Sequence, residues 1–383
     1  MNFEFATAAR IIFGPGKLRD VGSFATALGT RALVVHGASA RTGPLVDLLH
    51  AQGMTTTSLR VAGEPTTTLV ERGVEHARRE QCDLVVALGG GSVIDAGKAV
   101  AALIANREPL VEYLEVVGRA RTLTERSAPM IAIPTTAGTG AEVTRNAVLL
   151  VEEARVKVSL RSPSMLPAIA LIDPELTRTL PAPVTASTGL DALTQCLEPF
   201  VSPHATPLTD AVAREGLRRA AGALRRAWHD GDDMDARTDM AVASLCGGLA
   251  LANAKLGAVH GFAAPLGGMF PIPHGETCAR LLAPVAEANV RALRARAATS
   301  PALARYDEAA RILTGSLRAR AEDAVAWLRD LVDELRVPRL GAYGVTDADV
   351  TRVVEPARRA SSMQGNPIAL TDEELGEILR SAL

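Results

Sequence analysis

The stretch Val85–Lys98, reading VVALGGGSVIDAGK, most constrains what this chain can fold into. The apolar run Leu84–Leu88 suits a buried strand, and Val93, Ile94, Ala96, Gly97, Val100, Ala101 and Ile104 suit the packed side of a helix. The glycines therefore sit on a strand-to-helix turn. Glycine lets the backbone turn tightly and approach a ligand closely, while the open N–H groups and positive end of the following helix favour a phosphate. Such a turn suits a dinucleotide pyrophosphate. It also serves as plain loop chemistry and is not the GxGxxG pattern, so the turn alone leaves both readings open.

Around it, strand and helix patterns alternate. Arg10–Gly16, Ala32–His36, Thr56–Val61, Leu84–Leu88 and Met130–Ile133 read as strands, with helical stretches at Pro44–Gln52, Leu69–Glu80 and Ser92–Ala105. This order predicts an α/β domain with a mostly parallel sheet, whose ligands bind beyond the carboxyl ends of the strands. Gly37, Gly89–Ser92 and Pro134–Thr139 fall there. The loop Gly37–Gly43 has no carboxylate for a ribose hydroxyl, whereas Ser39, Arg41 and Thr42 suit a phosphate, so the reading leans towards NADP being accepted. A solvated turn with a surface arginine stays open. PTTAGTGAEVT, Pro134–Thr144, is dense in small hydroxyl residues that can bond ribose, phosphate or carboxamide, or can simply form a loop. Arg145–Val151 and Val156–Leu160 read as a hairpin bearing Asn146 and Lys157, and Ala168–Ile172 as a last strand.

From Pro181 onward the strand pattern stops. Long Ala/Leu/Arg stretches at Val184–Val201, Pro207–Ala227, Asp235–Asn253, Leu282–Arg296 and Ala321–Leu335 predict an all-helical domain, closed by a helix that Thr371 and Glu374 cap. The expected division is 1–178 and 179–383. With 383 residues, 48% of them hydrophobic, the chain can bury full cores in both. A net charge of -2 gives no basic surface for nucleic acid or an anionic membrane, which leaves a small molecule as the expected partner. No basic segment leading into a sustained apolar run opens the chain, and no run reaches the length of a membrane span, so a cytoplasmic protein is expected. The four cysteines, Cys82, Cys196, Cys246 and Cys278, form no CxxC pair; buried free thiols are expected, not a disulfide framework or a thiolate zinc site.

Three short sites in the helical half carry ligand chemistry. Asp191 and Gln195 are four apart in GLDALTQCLEPF, hence on one helix face; His260 follows LANAKLGAV on a helix, and His274 lies near a turn in PIPHGE. One carboxylate and two imidazoles suit zinc or ferrous iron with room for a substrate oxygen. On spacing alone, structural or surface histidines are the favoured reading.

GGGSVIDAGK, PTTAGTGAEVTRNAV, LIDPELT, TGLDALTQCLEPFVS and GAVHGFAAPLGGMFPIPHGE occur in order over nearly the whole chain. Together they resemble the iron-containing (group III) alcohol dehydrogenase family, within the dehydroquinate-synthase-like fold that also includes glycerol dehydrogenases and maleylacetate reductases. The resemblance implies a dinucleotide-binding domain, a helical domain, an active site in the cleft between them, and a homodimer or higher homo-oligomer. Gly90, Gly91 and Ser92 match the family's pyrophosphate loop. Asp95, Thr135, Thr136, Thr139, Asn146 and Lys157 match positions lining its cofactor site.

Two positions depart from the family pattern. Members usually place an aspartate and three histidines around the metal; Asp191, His260 and His274 match, but Gln195 stands where the first histidine is expected. A glutamine carbonyl is a weaker donor than imidazole, which puts metal binding in doubt. A further family histidine, four residues after His260, is Ala264 here, so a proton relay through it is lost. The reaction implied is hydride transfer between a primary alcohol or aldehyde and NAD(P), with Fe2+ or Zn2+ on Asp191, His260 and His274 and Gln195 as a candidate fourth ligand. Should no metal bind, His260 or His274 would donate a proton or hydrogen bond to the same oxygen, as in a maleylacetate-reductase-like enzyme. A dehydroquinate-synthase-like lyase and a non-catalytic binding protein are further alternatives.

Overall fold

The computed structural model describes residues 2–38 and 41–383, so Ser39 lies outside the described residues. The chain divides into two compact units. One comprises Thr7–Thr136 and Gly140–Thr177; the other comprises Arg178–Leu383, Ala137–Thr139 and the N-terminal residues through Ala6.

The first unit is α/β. Its strands are β1 (Arg10–Phe13), β2 (Arg31–His36), β3 (Thr55–Arg60), β4 (Leu84–Gly89), β5 (Met130–Pro134), β6 (Asn146–Val151), β7 (Val156–Arg161) and β8 (Ile169–Ile172). Six of them form a parallel sheet in the order β1-β8-β5-β4-β2-β3, and β6 pairs antiparallel with β7 as the expected hairpin. The helices α1 (Val21–Thr26), α2 (Thr42–His50), α3 (Thr67–Arg79), α4 (Gly91–Ala105) and α5 (Leu110–Tyr113) connect them.

Strand β4 shows why the apolar run is continuous. Val85 and Ala87 pack with α3 and α4, while Leu84, Val86 and Leu88 pack with α1 and α2 on the opposite face. Successive side chains point to opposite faces, so a strand covered on both sides has no polar positions. On α4, Gly97 allows the helix to sit close against the sheet: a Cβ there would come within 2.9 Å of the Ala87 Cβ. From β2 the chain runs outward to β3, then returns to place β4 on the other side of β2. That reversal creates the crevice where ligands of such sheets bind, and Gly37 and the Gly89–Ser92 turn both lie at its carboxyl-end rim.

The second unit is helical, with α6 (Ala182–Val201), α7 (Pro207–His229), α8 (Met234–Ala254), α9 (Ala258–Met269), α10 (His274–Arg296), α11 (Pro301–Thr314), α12 (Ala321–Glu334), α13 (Val350–Arg359) and α14 (Asp372–Ala382). One apolar core joins α6, α7, α8, α10, α11 and α12, and a second joins α9, α10, α13 and α14. Helix α6 is buried along nearly its whole length, as expected of a helix apolar on every side. Among its buried polar residues, Asp191, Gln195 and Glu198 lie on one face. The capping box of Thr371 and Glu374 forms as expected at the start of α14. Among the described residues, no single helix is long and apolar enough to cross a membrane.

Candidate functional site

In the helical unit the polar face of α6 meets the start of α9 and of α10. Two prolines hold the approach to α10 extended, so that helix begins at His274, directly after Pro273. His260 lies in the first turn of α9. The Asp191 Oδ1 is 3.4 Å from His260 Nε2 and 3.7 Å from His274 Nε2, and the two rings lie 5.4 Å apart between centroids. Asp191 Oδ2 accepts a hydrogen bond from Gln195 Nε2 at 3.0 Å.

Two residues that spacing did not single out complete the cluster. Glu198 accepts at 2.7 Å from His260 Nδ1, and its other oxygen accepts from the Val259 N–H at 2.7 Å. This carboxylate holds the ring proton on Nδ1, so that Nε2 is the nitrogen that faces Asp191. Cys278 lies one turn beyond His274 on α10, with its Sγ 3.6 Å from His260 Nε2 and 3.5 Å from His274 Nε2. All four cysteines are buried and free, as expected, and Cys278 stands with Asp191, His260 and His274 in one group of candidate donors. The signals were present in the sequence as i, i+4 spacing from His274 to Cys278 and i, i+7 spacing from Asp191 to Glu198.

Charge dominates this pocket. Burial by itself pushes the Asp191 carboxyl up, but the imidazoles of His274 and His260 outweigh it and hold it below its ordinary range. Burial pulls His260 down, and the Cys278 sulfur with the Glu198 and Asp191 carboxylates overcomes this to raise it well above an ordinary imidazole. The same opposition, with Cys278 and Asp191 prevailing, carries His274 to about 8. Such a set attracts positive charge. Asp191 Oδ1 and Gln195 Oε1 are both buried without a hydrogen-bond partner, an arrangement that costs stability unless something else meets them. The Asp191, His260, His274 and Cys278 donor atoms lie within 4.8 Å of one another, so the residues present suit a divalent cation.

In the α/β unit, the first turn of α4 has the form of an anion cradle. Gly90 precedes the helix in extended backbone, and the Val93 and Ile94 N–H groups already donate to its carbonyl, leaving those of Gly91 and Ser92 as the helix's open donors. A Cβ on Gly90 would come within 3.4 Å of Thr136 Cγ2, so the space is kept by the absence of a side chain. Thr135 is tied to the same turn by its N–H to the Gly89 carbonyl, and Gly37 stands beside Val93.

Other expected cofactor residues have partners within the unit. Asp95 pairs with Lys98 at 3.0 Å and accepts from the Val148 N–H at 3.0 Å, which braces α4 against β6. Lys98 is fully buried and also donates to Thr144 Oγ1 at 2.8 Å and to the Asn146 carbonyl. Lys157 pairs with Glu64 at 2.8 Å. Arg41 donates to the Leu176 carbonyl; burial lowers its pKa, and Asp173 opposes that effect. Thr139 belongs with the helical unit, where the adjoining Gly138 packs against Thr188.

The family description "Iron-containing alcohol dehydrogenase" matches residues 8–174, and "Fe-containing alcohol dehydrogenase family, C-terminal" matches residues 185–383. This chain belongs to the iron-containing alcohol dehydrogenase family. Members of that family are NAD(P)-dependent oxidoreductases that interconvert alcohols and aldehydes, and the Asp191, His260 and His274 group of the family is present here. A 1,3-propanediol dehydrogenase of Klebsiella pneumoniae is 36% identical over 397 residues, covering 99% of this chain and 98% of that one. The crystal structure of a 1,3-propanediol oxidoreductase superposes with a TM-score of 0.93 at 34% identity, covering 100% of both chains. A sulfoacetaldehyde reductase from Bifidobacterium kashiwanohense, solved in complex with NAD+, superposes with a TM-score of 0.87 at 28% identity, covering 100% of this chain and 99% of that one. The α/β sheet followed by an all-helical unit is the architecture of this family.

Proposed function

We propose that this enzyme interconverts a primary alcohol and its aldehyde, using a divalent cation held by Asp191, His260 and His274. The observation carrying this reading is the convergence of those three donors on one buried point, with the Asp191 Oδ1 left without a hydrogen bond. When bound, the cation supplies Lewis-acid polarisation of the substrate oxygen, and the nicotinamide supplies or accepts the hydride.

The chain's own residues do the positioning. Glu198 fixes the His260 tautomer, and Gln195 holds Asp191 through its Oδ2 so that Oδ1 faces the imidazoles. Gly90, Gly91 and Ser92 receive the pyrophosphate at the α4 N-terminus, with Gly37, Thr135, Thr136, Thr139, Asn146 and Lys157 around the rest of the dinucleotide. The Asp95–Lys98 pair braces that helix from behind. The loop between His36 and Leu45 has no carboxylate to reject a 2′-phosphate, which supports acceptance of NADP as well as NAD. Arg41 would have to turn away from the Leu176 carbonyl to contribute. The relatives act, by their names, on 1,3-propanediol and sulfoacetaldehyde, and small polar aldehydes of that kind are the proposed substrate class.

Gln195 favours a second reading, a metal-independent reductase in which His260 or His274 protonates the nascent alkoxide. Chelator-stripped enzyme, assayed with NADH and NADPH on an aldehyde panel and then reloaded anaerobically with iron or zinc, separates the two. Activity restored only on reloading supports the metal reading; undiminished activity after stripping overturns it.

A further inference from the structure

The amide at position 195 is not placed to replace an imidazole as a ligand. Its Nε2 donates to Asp191 Oδ2 at 3.0 Å, and its Oε1 points towards α8, where a Cβ on Gly247 would lie 3.4 Å away. Turning the amide over would set its oxygen against the carboxylate oxygen, a repulsive contact. The cluster nevertheless has a fourth donor. Cys278 Sγ is fully buried and stands 3.6 Å and 3.5 Å from the two imidazole Nε2 atoms, the same atoms that lie 3.4 Å and 3.7 Å from Asp191 Oδ1.

Those separations have chemical meaning. A tetrahedron built with the usual zinc bond lengths of about 2.3 Å to sulfur and about 2.0–2.1 Å to nitrogen and oxygen has sulfur–nitrogen edges near ~3.6 Å and nitrogen–oxygen edges near ~3.3 Å. Without a cation the thiol makes only weak S–H hydrogen-bond contacts to the two ring nitrogens, and the Asp191 Oδ1 beside them stays unsatisfied.

Building on the metal-dependent reading above, we infer that Cys278 is the fourth protein ligand in this chain, giving an Asp-His-His-Cys donor set that selects zinc over ferrous iron. Thiolate is the softer donor, and zinc already stands above iron in the affinity order for nitrogen and sulfur sites. On binding, the S–H bond breaks, a metal–sulfur bond forms, and the proton leaves to solvent. Held by these four residues, zinc would still supply Lewis-acid polarisation of a substrate oxygen, since catalytic zinc can accept more than four donors.

The test begins with the stripped full-length enzyme titrated with cobalt(II), a spectroscopic stand-in for zinc. The expected result is visible ligand-field bands together with a near-ultraviolet sulfur-to-cobalt charge-transfer band, the latter lost in both Cys278→Ser and Cys278→Ala. X-ray absorption of the zinc-loaded enzyme should count one sulfur at about 2.3 Å. Offered equal zinc and ferrous iron anaerobically, the wild type should retain zinc, and Cys278→Ser should show a weaker preference. Ligand-field bands without charge transfer, or a zinc shell lacking sulfur, overturns the role of Cys278 while leaving metal binding intact. No cobalt spectrum at all, with the fold unchanged by circular dichroism, overturns the metal reading itself.

Discussion

His260 Nδ1 and the Glu198 carboxylate lie 2.7 Å apart, both buried. This pair decides which nitrogen of His260 is available. Glu198→Gln keeps the size of the side chain but weakens the acceptor and removes the charge. The expected outcome is a 10–100-fold loss of metal affinity, the usual range for a residue that orients a ligand, with the metal centre otherwise intact. Titration of the stripped variant with zinc, followed by competition with a chromogenic chelator, measures it.

Gln195 gives a prediction of opposite sign. An imidazole at that position restores the donor that the family pattern has, so Gln195→His should raise retention of ferrous iron by roughly tenfold or more, about 1.4 kcal/mol per tenfold. Metal content after dialysis against a fixed iron buffer reads this directly. Unchanged retention would mean that the backbone of α6 no longer presents position 195 to the cluster.

The glycine cradle can be filled without distorting the chain, because Gly90 has φ -74, which any residue adopts. Gly90→Val should raise KM for the dinucleotide by about tenfold or more, with little change in melting temperature. Thermal unfolding and cofactor-dependence kinetics, run on the same preparation, separate an effect on the cradle from one on the fold.

Glu142 predicts a pH dependence of stability. Burial pushes its carboxyl up to about 7, against the opposing pull of its own backbone N–H and the Lys98 ammonium, and its Oε2 has no hydrogen-bond partner. A carboxyl with a folded pKa above its unfolded value binds more protons when folded, so its contribution is fully present below 4.5 and is lost as pH rises to about 7. The loss amounts to roughly 3 kcal/mol at about 1.4 kcal/mol per pKa unit. Glu142→Gln should flatten the fall in stability across that interval, as followed by denaturant midpoints at several pH values.

The α/β unit was largely legible because a buried parallel sheet leaves its mark residue by residue. The run through β4 is apolar on both faces, and the glycines stop it where α4 begins, so β4 and α4 could be placed within a residue or two. The helical unit was legible in kind but less so at the site. Apolar periodicity predicts a helix from Leu282, whereas α10 begins at His274, because Pro-rich, polar residues open the helix before its packed face starts. That eight-residue difference hides Cys278, which shares a face with His274 only if both are helical. Glu198 was masked differently: a charge inside an apolar helix carries no local sign of its partner, His260, which is 62 residues away. Likewise, nothing near Arg41 signals that its guanidinium meets the Leu176 carbonyl, 135 residues on.

Helix α6 carries Asp191, Gln195 and Glu198 as one stripe, and α10 carries His274 and Cys278 one turn apart. Donors mounted this way can be exchanged without moving any backbone, since the positions on each helix share one face. A single codon at 195 or 278 is therefore enough to change which element the pocket prefers, while the scaffold goes on unaltered.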